Sequence, residues 1–150
     1  MMSATGEPMY PKQAGNLKKG DYIVMKDVFP CKVTEISTSK TGKHGHAKCS
    51  ITAVDIFTGK KYEDSCPSSH NIMCPNVSRT DYLLINIDDE YAFYFDQNDA
   101  EQQVRLPLEN EELVAELRAA FDAGDKTIMI NIQRAMNTEG IVAFKTEANK

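Results

Sequence analysis

The sequence predicts a mainly β protein built from two small β-barrels, and three observations carry this prediction. Short runs of alternating apolar and polar residues recur along the chain of 150 residues, as expected of half-buried strands. Only residues 111–123 have the apolar spacing of an amphipathic helix. That helix follows the third of five strand-like segments in the second half, which is the element order of an OB-fold.

In the first half, four segments are predicted to be strands, at residues 21–26, 31–36, 46–56 and 61–65. The third has the clearest period of two, because Cys49, Ile51 and Ala53 alternate with polar residues. The phase shifts at Val54 and Ile56, which predicts a bulge or a bend there. Residues 67–76 contain two prolines and few apolar residues, so we expect a loop that ends at the domain boundary.

In the second half, strands are predicted at residues 82–87, 91–95, 103–106, 127–133 and 141–145. The helix is expected to begin after Asn110, whose side chain can cap it, and to end at Gly124, which suits a left-handed cap. Its predicted apolar stripe comprises Leu113, Leu117 and Phe121.

The aromatic segment at residues 91–95 admits two interpretations. An exposed aromatic face on a strand could stack on nucleic acid bases. In a small barrel without tryptophan, however, the face shared by Tyr91, Phe93 and Phe95 is expected to form core. Tyr94 is then the side chain expected to be exposed.

The net charge of −5 conceals an asymmetry between the two halves. Ten lysines against seven acidic residues give residues 1–76 a charge of +3, while seven basic against fifteen acidic residues give residues 77–150 a charge of −8. The first half could therefore face a polyanion, which would repel the second half. Three sequence regions are accordingly expected: a flexible tail at residues 1–15, a first barrel at 16–76 and a second at 77–150.

The amino-terminal residues lack the apolar stretch of a signal peptide, and no apolar run is long enough to span a bilayer. We therefore expect a cytoplasmic protein without membrane association. The four cysteines form no C-x-x-C pair and are expected to be reduced thiols.

Residues 37–46 form the most distinctive segment, because they contain no large apolar side chain between two predicted strands. Such a segment predicts a hairpin with a protruding tip. Gly42 and Gly45 bracket Lys43 and His44, so the tip can turn tightly and present Lys43 outward. The loop either is a solvated basic turn without a special role or is a cationic finger that reaches into RNA. The residues that would share this role are Lys40, Thr41, Gly42, His44, Gly45, His46 and Lys48.

The catalytic and metal-binding patterns that we tested are incomplete. Gly42-Lys43 is followed by His44 where a P-loop requires serine or threonine. Cys66, His70 and Cys74 have the spacing C-x3-H-x3-C, which offers three ligands in no familiar zinc pattern. No set of nucleophile, base and orienting residue is visible. We therefore expect no catalytic residue, no metal site and no enzymatic activity.

Three sequence stretches carry a resemblance to a known family: STSKTGKHGHAK at residues 37–48, DIFTGKKYED at 55–64 and CPSSHN at 66–71. They closely resemble the eukaryotic translation initiation factor 5A family. The resemblance implies an SH3-like amino-terminal barrel, which carries the modification hairpin, and a carboxy-terminal OB-fold. It also implies that Lys43 is converted to hypusine. Deoxyhypusine synthase would transfer an aminobutyl group from spermidine, and deoxyhypusine hydroxylase would then add a hydroxyl group, with no cofactor held by the protein itself.

The resemblance further implies a translation factor that binds the ribosome near the E site, against ribosomal RNA. The modified Lys43 would reach the CCA end of the P-site peptidyl-tRNA and promote peptide bond formation at stalled, proline-rich sequences, with roles in elongation and termination. The alternative is an RNA-binding module that acts through an unmodified basic hairpin.

Overall fold

The structure is a computed structural model that describes residues 9–40 and 47–148. The described chain is mainly β with one α-helix, and it divides into two compact units. Of the described residues, 9–40, 47–77 and 135–137 form the first unit, and 78–134 and 138–148 form the second. The predicted fold class is thereby confirmed. No helix within the described ranges has the length and apolar character needed to cross a membrane.

The first unit contains a four-stranded antiparallel sheet, in the order β2-β3-β4-β5, and a separate antiparallel pair, β1 with β6. Its elements are β1 (Met9–Gln13), a short 3-10 helix (Ala14–Asn16), β2 (Tyr22–Met25), β3 (Phe29–Lys40), β4 (Ala47–Asp55), β5 (Lys61–Pro67) and β6 (Asn71–Pro75). The predicted inward positions of β4 are confirmed, because Cys49, Ile51 and Ala53 are all buried.

The expectation of a loose tail through residue 15 is wrong for residues 9–15. Met9–Gln13 pairs with Asn71–Pro75, a segment that we had expected to be a loop. Ala14 is fully buried, and Lys12 Nζ lies 3.0 Å from Asp21 Oδ2. Each strand of this pair is short and poor in alternating apolar residues. Their pairing depends on backbone hydrogen bonds between distant segments, which periodicity does not reveal. Residues 1–8 lie outside the described part of the chain.

Of the predicted bulge or bend at Val54 and Ile56, the structure has no bulge at Val54, whereas the chain turns at Ile56, directly after β4 ends. β4 pairs without interruption through Asp55, and the register shift of this sheet lies between Val33 and Glu35 on β3. The apolar alternation breaks because the next inward position is Asp55, which is 5% exposed. Its Oδ1 accepts backbone N–H groups of Phe57 at 2.8 Å and of Thr58 at 3.0 Å, so a buried carboxylate ends the strand without distorting it.

The second unit contains a five-stranded sheet in the order β11-β10-β7-β8-β9. Its elements are β7 (Ser78–Ile87), β8 (Tyr91–Phe95), β9 (Glu101–Arg105), α1 (Glu111–Ala123), β10 (Lys126–Ala135) and β11 (Thr138–Ala148). The helix follows the third strand of the unit, as the OB-fold order predicted. The core residues come from all five strands, the segment after β9 and the helix: Tyr82, Leu84, Ala92, Tyr94, Val104, Leu106, Val114, Leu117, Ile128, Ile130, Ile132 and Ile141.

The helix ends are those predicted from the sequence. Asn110 Oδ1 accepts the backbone N–H of Leu113 at 3.2 Å, and Gly124 adopts the left-handed conformation with φ of 66°. The buried face differs by one position from the predicted stripe, because Val114 and Leu117 are the buried residues of the helix. Phe121 packs against the same core.

The prediction for the aromatic strand β8 is wrong, because the faces are reversed. Ala92 and Tyr94 are buried, whereas Phe95 is 41% exposed. Tyr94 can occupy the core because its hydroxyl accepts an N–H from Arg134 Nη2 at 3.2 Å and its ring lies 4.6 Å from that of Tyr82. The larger number of aromatic residues on the other face misled the prediction, since the small Ala92 marks the inward side.

Candidate functional site

The β3–β4 hairpin carries the candidate site. The two strands pair from Cys31 with Asp55 up to Lys40 with Ala47, where the described ladder ends. The predicted modified residue lies in the six-residue segment 41–46 that joins them. The predicted site residues outside the described part of the chain are Thr41, Gly42, Lys43, His44, Gly45 and His46. The structure places only Lys40 and Lys48 of the predicted set.

Lys40 and Lys48 are both exposed at the end of this ladder. Lys40 is paired with Ala47, and Lys48 is paired with Ser39. Successive residues of a strand point to opposite faces, so these two lysines lie on opposite faces of the ribbon. Neither makes an ion pair with an acidic residue of the described ranges. The ribbon therefore presents positive charge on both faces next to the segment that contains Lys43.

The burial of β3 changes along its length. Cys31 and Val33 are in the core, whereas residues 37–40 are exposed. On β4, Cys49 is the last buried residue before the ladder ends, and its Sγ lies 3.6 Å from Thr38 Oγ1. The outer part of the hairpin is thus held by backbone pairing and polar contacts, which leaves its side chains free to meet another molecule.

The start of β4 has a second support, which sequence reasoning missed. The backbone N–H of Ser68, in the turn between β5 and β6, donates to the carbonyl of Ala47 at 2.9 Å. The carbonyl of Ser68 in turn accepts the N–H of Gly15 at 2.8 Å. The sequence signal for this arrangement is Gly15, which leaves room for the close approach of Ser68.

The three residues of the C-x3-H-x3-C pattern do not form a metal centre. Within residues 9–40 and 47–148, no group of three or more histidine, cysteine or acidic side chains is placed to hold a metal ion. Cys74 is buried, and burial raises the pKa of its thiol, as it does for the half-buried Cys66. Such thiols stay protonated at neutral pH, which disfavours roles as ligands or nucleophiles. All four cysteines are free.

Two family models together match most of the chain. A family model described as the amino-terminal domain of translation initiation factor 5A-like proteins matches residues 7–70. A second model, described as eukaryotic elongation factor 5A hypusine, DNA-binding OB fold, matches residues 76–145.

Individual relatives span nearly the whole chain. The chain is 48% identical over 138 residues to eukaryotic translation initiation factor 5A of Zea mays, which covers 91% of this chain and 84% of that protein. Eukaryotic translation initiation factor 5A-2 of Caenorhabditis elegans is 42% identical over 94% of this chain and 87% of its own length.

Solved structures extend the likeness to the fold. A translation initiation factor eif-5a family protein from Naegleria fowleri superposes with a TM-score of 0.84 at 50% identity, covering 91% of this chain and 98% of that one. A eukaryotic translation initiation factor 5A from Methanococcus jannaschii, at 23% identity and a TM-score of 0.73, shares the fold over 97% of this chain and 98% of that one.

The fold and the comparisons together define the class of the protein as a two-domain, mainly β translation factor with an OB-fold second domain. The chain belongs to the eukaryotic translation initiation factor 5A family. The resemblance drawn from residues 37–71 is thereby confirmed.

Proposed function

We propose that this protein binds the ribosome near the E site and acts through a hypusine formed on Lys43. In this proposal the modified side chain reaches the CCA end of the P-site peptidyl-tRNA and promotes peptide bond formation at stalled, proline-rich sequences, with further work in elongation and termination. The observation that carries the proposal is the exposed β3–β4 ribbon. It ends in lysines on both faces, next to a segment whose sequence is TGKHGH, in a chain of this family.

Charge and reach support this role. Lysine meets phosphate as a mobile point charge on a flexible stem. Hypusine keeps a positive amine and adds a second one on a longer arm, which gives more donors toward phosphate and ribose. The factor then needs no nucleophile of its own, because restraining a mobile tRNA end lowers the entropic part of the barrier. The protein is accordingly proposed to be a non-enzymatic factor of the cytoplasm.

The partners in this proposal are of two kinds. Deoxyhypusine synthase and deoxyhypusine hydroxylase modify Lys43, and the ribosome with its peptidyl-tRNA receives the modified tip. The basic half of the chain is the part suited to RNA, while the acidic half would be repelled by it.

A reconstituted translation assay tests the proposal. The native protein is first digested, and the peptide that contains Lys43 is weighed for the added mass of hypusine. The modified protein is then added to ribosomes stalled on a proline run, beside a Lys43→Arg variant and a Lys32→Arg control at an exposed position in the body of β3. We expect the wild type and the control to relieve stalling and Lys43→Arg to fail. Equal relief by all three proteins would refute the proposal, and an unmodified Lys43 peptide from active protein would favour a plain basic hairpin.

A further inference from the structure

The outer face of the five-stranded sheet in the second unit carries apolar side chains where a solvated sheet usually carries polar ones. Phe95 on β8 lies directly opposite Leu83 on β7, and Met129 on β10 lies on the other side of Leu83. Phe93 shares the face, because it lies two positions before Phe95 on the same strand. We call these four residues the outer apolar face.

The side chains of this face do not belong to the core of the unit. Phe95 is 41% exposed and Leu83 is 39% exposed, whereas Phe93 and Met129 are half-buried. None of the four is among the buried core residues or among the half-buried residues that pack against that core. Packing within the unit therefore does not explain them, and contiguous apolar surface of this kind is typical of an interaction site.

The charge beside the outer apolar face is negative. Glu101 on β9 lies directly opposite Phe95, and Asp96 follows Phe95 in the chain. Residues 95–104 include three acidic residues and no basic one. Backbone N–H groups lower the pKa of Asp96, so its carboxylate is ionised at neutral pH. Neither Glu101 nor Asp96 forms an ion pair with a residue of the described ranges, so both charges are available to a partner.

The basic residues Arg105 and Lys145 do not compensate this charge. Arg105 lies opposite Tyr91, at the other end of β8 and about 13 Å along the strand from Phe95. Lys145 Nζ lies 3.3 Å from Asp81 Oδ2 and is therefore already paired. The end of the face around Phe95 combines exposed apolar surface with uncompensated negative charge.

This charge selects among the molecules that could cover the face. An oligonucleotide could stack on the aromatic rings, but the acidic residues would repel its phosphates. A second copy of the chain would bring another charge of −8, from residues 77–150, against the first. A basic protein segment has the complementary charge. Arginine suits the face best, because a guanidinium stacks on aromatic rings and also donates to carboxylates. Residues 1–78 contain no arginine, so the first half of the chain does not supply such a segment.

We propose that the outer apolar face binds an arginine-rich, extended segment of another protein. Alternate residues of an extended segment are about 7 Å apart, which is also the separation of Phe93 and Phe95 along β8. Arginines at alternate positions therefore stack on the two rings in succession, with their aliphatic stems against the apolar side chains of the face. The guanidinium over Phe95 also donates to Glu101, which lies opposite that residue. This binding does not involve Lys43 and goes beyond the proposed function.

Fluorescence anisotropy with labelled probes and the full chain tests the proposal. The probe is an octapeptide of alternating serine and arginine. The comparison probes are the same peptide with lysine in place of arginine and a single-stranded oligouridylate of the same length. We expect the arginine peptide to bind about threefold more tightly than the lysine peptide, because a lysine ammonium group lacks the planar stacking surface. The oligouridylate should not bind at the same salt concentration. Changes in amide chemical shift on binding should be confined to β7, β8, β9 and β10.

Two variants of the face and two matched controls complete the experiment. Phe95→Ala should weaken binding of the arginine peptide about fivefold, the effect of losing one cation–π contact at an exposed site. Glu101→Gln should weaken it about threefold at low salt, and this difference should disappear in about 1 M salt. Leu108→Ala removes an exposed apolar side chain outside the face, and Glu109→Gln removes an exposed charge there. Both controls should bind as the wild type does, and amide spectra show that every variant is folded.

Each outcome decides the proposal. Weaker binding in Phe95→Ala and Glu101→Gln alone, with shift changes on the outer apolar face, supports it. Equal affinity for the arginine and lysine peptides overturns it, because the attraction is then charge alone. Preferential binding of the oligouridylate overturns it in favour of a nucleic-acid site. Absence of binding, shift changes elsewhere or equal weakening in the controls also overturns it, and all of these results leave the proposed role of Lys43 unaffected.

Discussion

Replacing Arg134 by methionine should destabilise the second unit by about 3 kcal/mol, because the guanidinium donates hydrogen bonds to the hydroxyl groups of two buried tyrosines. Arg134 Nη1 donates to the Tyr82 hydroxyl at 2.9 Å, and Nη2 donates to the Tyr94 hydroxyl at 3.2 Å. Tyr82 is 7% exposed and Tyr94 is 3% exposed. Methionine preserves much of the side-chain volume, so the change removes polar contacts more than packing.

The magnitude can be built from the separate contacts. Leaving two buried hydroxyls without a partner costs about 1 kcal/mol each at the low end of the usual range, which applies because the Arg134 side chain is one-third exposed. The guanidinium also lies 5.3 Å from the centroid of the Tyr82 ring, which adds about 0.5–1 kcal/mol. The ion pair with Glu139 is partly exposed and contributes up to about 1 kcal/mol.

A thermodynamic cycle gives the sharpest assay. The free energy of unfolding is measured with urea, and amide exchange of core residues such as Ile130 shows that the second unit is the one affected. In a background that carries Tyr82→Phe and Tyr94→Phe, the cost of Arg134→Met should fall to about 1 kcal/mol, because no hydroxyl is left unpaired. A cost below about 1 kcal/mol in the wild-type background, or equal costs in both backgrounds, would refute the reasoning.

Three further predictions concern the second unit. Asn110→Ala should cost about 1 kcal/mol of unfolding free energy, since it removes the acceptor for the Leu113 N–H, and urea denaturation with Asn110→Ser as control would measure it. Gly124→Ala should cost about 1 kcal/mol in the same assay because φ is 66°, whereas an unchanged midpoint would contradict the left-handed cap. Backbone N–H groups lower the pKa of Asp88 and of Asp96. The free energy that the two ionised carboxylates contribute to folding should therefore be present above the ordinary carboxyl pKa of about 4 and be lost as pH falls through their lowered pKa values in the folded protein. Ordinary pKa values in an NMR titration of both carboxyl carbons would exclude this.

Local chemistry explains which parts of the fold were predictable. The helix ends were predictable, because Asn110 and Gly124 act within a few residues of their own position. The inward positions of β4 were also predictable, since three apolar residues alternate there. The pairing of β1 with β6 was not, because its bonds join residues about sixty positions apart and its side chains carry little pattern.

Two errors had a common physical origin in polar groups that the protein buries with partners. Tyr94 was assigned to the surface because its face has fewer aromatic residues, yet Arg134 satisfies its hydroxyl. A bulge or a bend was predicted because the apolar phase shifts to Val54 and Ile56, yet β4 continues through Asp55, whose carboxylate accepts two backbone N–H groups. A sequence pattern ranks residues by polarity and does not show the partner that makes burial favourable.

The candidate site stays a prediction from the sequence, through the lack of apolar residues in 37–46 and the likeness of TGKHGH to its family. The backbone contacts of the turn between β5 and β6 with the start of β4 could not be predicted from the sequence. Ser68 is separated from Ala47 by twenty-one positions, and the bond between them uses only backbone atoms. No side-chain pattern reports such a bond, and Gly15 becomes informative only once its distance to Ser68 is known.

Under the proposed function, the exposed outer part of the β3–β4 ribbon makes folding stability and activity depend on different residues. Residues 37–40 are all exposed, so we expect substitutions there to change the melting temperature and the yield of folded chain only slightly. Selections based on solubility, expression or heat resistance would retain variants whose outer ribbon no longer supports the proposed function. Under the proposed function, a library of this protein should therefore be screened for aminobutyl transfer to Lys43, because a thermal screen does not report on that segment.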